Sequence, residues 1–115
     1  MISNKQPFDW VPTPDLMAQS NLTAFLRKVG ESSFENLSAR ADADPAWLME
    51  EVFDFCDMRF YKPYTQMLDT SRGIEWACWC AGGTTNIVLN CLDRHRGTPV
   101  WEPVSYTHLT LPTKA

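Results

Sequence analysis

The side chains best suited to chemistry in this 115-residue chain are four cysteines and one histidine: Cys56, Cys78, Cys80, Cys91 and His95. Thiolate and imidazole are zinc ligands, and Cys91 and His95, four residues apart, would share one face of a helix. A structural zinc site spaces each ligand pair by about two to four residues, which Cys78-x-Cys80 does not. Reduced cysteines packed as small hydrophobes fit the pattern better. Gly82-Gly83-Thr84-Thr85 suggests a backbone cradle for phosphate. It lacks both the Gly-Lys-Ser/Thr ending and the buried strand that should precede a phosphate loop, and reads as a turn leading into a helix. Glu50 and Glu51 could form an acid–base pair, but adjacent helical residues point about 100° apart. With Asp54 they describe a solvated face. His95 sits where a basic residue favours a helix C-terminus, which suits it to capping better than to catalysis.

Composition limits the classes open to the chain. Apolar residues make up 44% and charged residues 21%, which is globular rather than disordered. The formal charge is −4 with no basic stripe, so a nucleic-acid or anionic-membrane footprint is not expected. No apolar run reaches the roughly 18 residues of a membrane span, and MISNKQPFDW does not have the layout of a secretory signal. These readings predict a cytoplasmic chain whose cysteines are reduced.

Residues 1–19 read as an irregular arm. Pro7, Pro12 and Pro14 stand there among Phe8, Trp10 and Val11. A first helix starts at Ser20 or Asn21, buries Leu22, Phe25, Leu26 and Val29, and closes at Gly30 behind Arg27 and Lys28. Ser32-Ser33-Phe34-Glu35 offers a capping box for a second helix to about Ala41. Asp44-Pro45 starts a third, to about Asp57, with Trp47, Leu48, Val52, Phe55 and Cys56 on one face. Pro63 breaks the segment from Met58 to Leu68, and Asp69 to Gly73 is a turn. Trp76 and Trp79 suggest an irregular apolar anchor. A final helix is capped by Thr85 or Asn86, turns Ile87, Val88, Cys91 and Leu92 inward, and ends at Arg94, His95, Arg96 and Gly97. Thr98 to Glu102 looks like the start of a strand. The fold class expected is mainly α with short extended or irregular segments.

Several of these residues together resemble the N-terminal extension of acetyl-CoA synthetase-like enzymes. The matching positions are Asp44-Pro45-Ala46-Trp47, Gly82-Gly83, Asn86 and Asn90-Cys91-Leu92-Asp93-Arg94-His95, within a likeness running from about Ala24 to Glu102. The chain departs from the family at Trp79-Cys80-Ala81 and at Tyr61-Lys62-Pro63-Tyr64, which leaves the acyl substrate open. The resemblance implies a parent enzyme, an AMP-forming acid–thiol ligase. It would activate a short-chain carboxylic acid with ATP and Mg2+ to an acyl-adenylate and pass the acyl group to coenzyme A. It also implies that residues 20–95 form the extension and that 96–102 begin the large adenylate-forming domain. That domain, of the same polypeptide, is the expected partner. The nucleotide loop, acyl pocket and catalytic lysine of such enzymes have no counterpart here, so no catalytic, cofactor-binding or metal-binding residue carries over. The expectation is an inactive fragment of an α/β adenylate-forming enzyme.

Residues 103–115 read differently. Val104 to Thr113, VSYTHLTLPT, resembles an in-frame translation of a transposon-end sequencing adapter, and Pro103 suits the codon that would precede it. This tail is expected to be foreign to the fold. Two other classes stay open: a free-standing helical interaction domain with Trp10 and Trp101 as anchors, or a small zinc module on Cys78, Cys80, Cys91 and His95.

Overall fold

A computed structural model describes residues 8–101. They are mainly helical, with one two-stranded sheet, as the sequence implied. Contacts divide the chain into two compact units, residues 1–48 and 49–115. The tail from Pro103 onward, Glu102 and the first seven residues lie outside the described part. No described helix is long and apolar enough to cross a membrane.

The first unit is set by its caps. Thr13 caps α1 (Pro14–Ala18), its hydroxyl accepting the Leu16 N–H at 3.3 Å, with Pro14 in the first turn. The irregular arm expected over residues 1–19 is therefore helical in part. Pro14 is a starter rather than a breaker here, because a first-turn proline has no N–H to lose. Ser20 caps α2 (Asn21–Val29) by accepting the Thr23 N–H at 3.1 Å. Gly30, at φ 74°, closes α2: the Glu31 N–H reaches Leu26 O at 3.0 Å and the Gly30 N–H reaches Arg27 O at 3.3 Å. This paired closure satisfies two otherwise orphaned carbonyls.

Ser33, one residue later than Ser32, caps α3 (Phe34–Ala43), accepting from Asn36 at 3.1 Å. Among the described residues of this unit, Phe25 and Leu37 are the buried apolar ones. Arg40 lies 3.7 Å above the Trp47 ring and 3.0 Å from Glu31, which stacks α3 against the turn that begins the next helix.

That helix, α4 (Pro45–Phe55), starts where Asp44 Oδ1 accepts the Trp47 N–H at 3.0 Å and runs on into the second unit. It ends two residues short of Asp57. Asp57 adopts φ 51° and takes the left-handed closing position that glycine usually fills. The Met58 N–H bonds to Phe53 O at 2.8 Å, and the Asp57 N–H to Asp54 O at 3.1 Å. Phe53 turns toward Phe60 and Tyr64, while Phe55 and Cys56 are exposed, contrary to the inward face expected. Apolar side chains at Trp47, Leu48, Met49, Val52, Phe53 and Phe55 surround this helix, so periodicity does not single out one face.

The segment expected to be irregular is a hairpin. Strand β1 (Gln66–Asp69) pairs antiparallel with β2 (Cys78–Ala81) in the register Gln66 to Ala81, Leu68 to Trp79 and Asp69 to Cys78. The pairing continues outward through a Lys62–Thr84 bridge. The turn cluster forms as expected: Asp69 Oδ1 accepts the Ser71 N–H at 2.9 Å, and a 3-10 turn over Ile74–Trp76 leads back. Met67, on β1, is the buried apolar residue among the described residues of the unit. Asn86 caps α5 (Ile87–Cys91). Ile87, Val88 and Cys91, expected inward, are exposed, while Leu92, just past the helix end, is half-buried as expected, together with Leu89 and Asn90. Thr98 to Trp101 turns rather than extends: the Trp101 N–H bonds to Thr98 O at 3.0 Å.

Candidate functional site

In the second unit a connected polar group forms a clasp between α5 and the end of α4. Asn90 lies half-buried on α5 and faces the backbone of Arg59 with both ends of its amide. Its Oδ1 accepts the Arg59 N–H at 2.7 Å and its Nδ2 donates to Arg59 O at 3.0 Å. The same Nδ2 reaches Thr85 Oγ1 at 3.1 Å and Asn86 O at 3.3 Å, and the Thr85 hydroxyl donates to Arg59 O at 2.6 Å. One amide thus does the work of a strand partner for a single residue.

Arg94, four residues on, completes the clasp. Its Nη1 donates to Cys56 O at 3.1 Å, a carbonyl left unpaired where α4 ends, and its Nη2 meets Asp57 Oδ2 at 2.7 Å. A guanidinium suits a helix C-terminus because the cation faces the negative end of the dipole. Arg59 meets the same carboxylate at 3.2 Å, so Asp57 stands between two cations.

Beside the clasp lies an aromatic cup. Phe60 packs edge-on to Tyr64 with centroids 5.3 Å apart, and Phe53 sits 5.9 Å from Phe60 and 6.4 Å from Tyr64. The opening, about 230 Å³, is rimmed by Glu50, Asp54, Asp57 and Met58. Desolvation pushes the Tyr64 phenol above its ordinary value, and the nearby Glu50 and Cys80 charges add to the effect. Gly83 closes the back of the cup: a Cβ there would lie 3.0 Å from Tyr64 Cβ and 3.1 Å from Cys80 O. The close backbone approach, rather than a phosphate, accounts for this glycine. Gly82, at φ 76°, makes the turn out of β2.

The residues singled out in the sequence are dispersed. Cys78 and Cys80 lie on β2, Cys91 ends α5, and His95 ends a 3-10 turn over Asp93–His95. Among the described residues no three His, Cys, Asp or Glu side chains are grouped to hold a metal ion. Glu50 is exposed at the rim of the cup and Glu51 is half-buried. In the first unit an open apolar groove of about 860 Å³ is lined by Trp10, Leu16, Met17, Leu22, Leu26 and Phe34. Asp57 and Arg59 were not anticipated. The available signal was the four-residue spacing of Asn90 and Arg94, which in a continuous helix would share one face.

Comparison with known proteins gives one family, described as acetyl-coenzyme A synthetase N-terminus, which matches residues 34–91, just over half of the chain. The match contains α3, α4, the hairpin and Asn90, and ends just before Arg94. No curated protein and no solved structure matches.

Proposed function

The chain belongs to the acetyl-coenzyme A synthetase N-terminus family, and from that premise we propose that it serves as the docking extension of an AMP-forming acyl-CoA synthetase. The large adenylate-forming domain of that enzyme would bind ATP, Mg2+ and coenzyme A and activate a short-chain carboxylic acid. The extension itself contributes packing rather than chemistry. The family match carries this reading.

Apolar exposure supports it. Trp10, Phe34, Trp76, Ile74 and Ile87 are each more than half exposed, and an isolated domain seldom leaves so many large apolar side chains in water. The clasp fits the same role: its groups are spent on backbone carbonyls and amides, which fixes α5 against the end of α4 and holds the apolar faces in place. On this reading the tail from Pro103 is foreign to the parent enzyme.

Thermal melts of the 115-residue chain with and without saturating Mg-ATP, and with coenzyme A, test the reading. The expected result is an unchanged melting temperature together with strong binding of a hydrophobic dye, since ligand stabilisation requires a site in the folded state. A reproducible ATP-dependent rise would refute it. A sequencing read across the codons for Trp101 to Thr113 in the source DNA should continue in frame into an adenylate-forming domain. A stop codon after Ala115 would favour a free-standing interaction domain instead.

A further inference from the structure

The aromatic cup lies wholly within the second unit and combines rings with carboxylates. Glu50, Phe53 and Asp54 stand at i, i+3 and i+4 on α4, the spacing of one helical face, and all three line it. Met58, Phe60 and Tyr64, from the segment that follows the helix, line it as well. The three ring centroids are 5.3, 5.9 and 6.4 Å apart. One cation over the middle of that triangle can stand within about 6 Å of every ring centre, the reach of a cation–π contact. Phe53 and Phe60 are inclined at 40°, and Tyr64 stands at 72° and 69° to them, so the rings are walls rather than a stack.

We infer that the cup formed by Phe53, Phe60 and Tyr64, with Glu50 at its rim, binds the trimethylammonium head of a quaternary ammonium compound. Charge complementarity selects a cation. Asp57 is already held by Arg59 and Arg94, but among the described residues no cation lies within ion-pair distance of Glu50. Glu50 is also close enough to Tyr64 for its charge to oppose ionisation of the phenol, second to the effect of desolvation. A cation in the cup therefore meets both the rings and a carboxylate with no partner. The lining selects which cation. Phe53 and Phe60 offer no hydrogen-bond acceptor and Met58 only a weak one, so a primary ammonium or a guanidinium would leave N–H groups unsatisfied over them. A trimethylammonium group has no N–H to satisfy and presents its charge through methyl groups, which suit ring faces. The opening of about 230 Å³ admits a head of that size. This reading uses only the residues of the cup and goes beyond the docking role.

The test is an NMR titration of the full chain at fixed ionic strength with three probes: choline, its neutral carbon isostere 3,3-dimethyl-1-butanol, and ethanolamine. Choline should bind saturably in the millimolar range, its methyl resonance moving upfield while the ring protons of Phe53, Phe60 and Tyr64 shift with it. The isostere and ethanolamine should each bind at least about tenfold more weakly. Glu50→Gln, at an exposed position, should weaken choline binding about threefold and leave the fold unchanged. Tyr64→Leu should weaken it at least about tenfold. Because Tyr64 packs against Gly83 and its variant could fail to fold, the isostere and Glu50→Gln decide the matter in its place. An isostere that binds as tightly as choline would show an apolar cup, and ethanolamine binding as tightly would show a site for charge alone. Either result overturns the assignment, as does unchanged choline affinity in Glu50→Gln or the lack of any saturable shift.

Discussion

Replacing Asn90 by alanine isolates what the clasp contributes. The side chain makes two bonds to the Arg59 backbone, at 2.7 and 3.0 Å, across 31 residues of sequence. Arg59 O keeps a partner in the variant, because the Thr85 hydroxyl already donates to it at 2.6 Å. The Arg59 N–H has no such reserve. At about 1 kcal/mol net for each of the two bonds, the variant should be destabilised by about 2 kcal/mol. That corresponds to roughly 30-fold faster exchange of the Arg59 amide if local opening governs it. Hydrogen exchange by NMR at that amide reads the effect directly, and a urea melt followed by circular dichroism gives the global value. Asn90→Asp retains an acceptor for the Arg59 N–H but loses the donor, so it should protect that amide better than alanine does. If Arg59 exchanges at the parent rate in Asn90→Ala, the clasp is not what holds α5 to the end of α4.

Three further outcomes follow from the same geometry. Arg94→Lys should lower stability by about 1 kcal/mol, since an ammonium cannot hold the Cys56 carbonyl and the Asp57 carboxylate as a fork does. Most of that loss should persist at high salt in a denaturation series, because Asp57 is 64% exposed and its ion pair is already weak. Gly83→Ala should cost about 1–3 kcal/mol by forcing a methyl against Tyr64 and the Cys80 carbonyl, and Gly30→Ala about 1 kcal/mol through its left-handed φ alone; parallel thermal melts rank the two. Tyr64 should ionise above the ordinary tyrosine value of 10.0 because its phenol is desolvated first and faces Glu50 second. Folding therefore favours the neutral phenol: this contribution is complete below pH 10 and is lost as pH rises through the folded value. Ultraviolet difference titration of the parent against Tyr64→Phe should show the late-titrating step missing from the variant.

The family is legible in the sequence. Asp44-Pro45-Ala46-Trp47, the double glycine and Asn90-Cys91 lie within the matched residues 34–91, and Leu92 to His95 follow directly after them. Helix starts were also legible. Ser20, Asp44 and Asn86 each cap the helix expected, and Ser33 does so one residue away from the box that was read. A cap is a hydrogen bond across two or three residues, so the information it needs is local. Gly30 and the Asp69 turn belong to the same class.

What the sequence alone did not determine is everything that depends on distant pairing. Residues 31 and 38 positions apart meet in the clasp through Asn90–Arg59 and Arg94–Cys56. The hairpin was hidden because Trp76 to Ala81 alternates poorly and its partner strand lies beyond an eight-residue connection. Periodicity identifies the inward faces of α4 and α5 only in part, for two different reasons. Apolar residues encircle α4, and α5, at five residues, is too short for a helical period to express itself. Local hydrogen bonds set where each helix begins. Only the folded chain, by bringing Asn90 to Arg59 and Phe53 to Tyr64, decided which of their side chains would face one another.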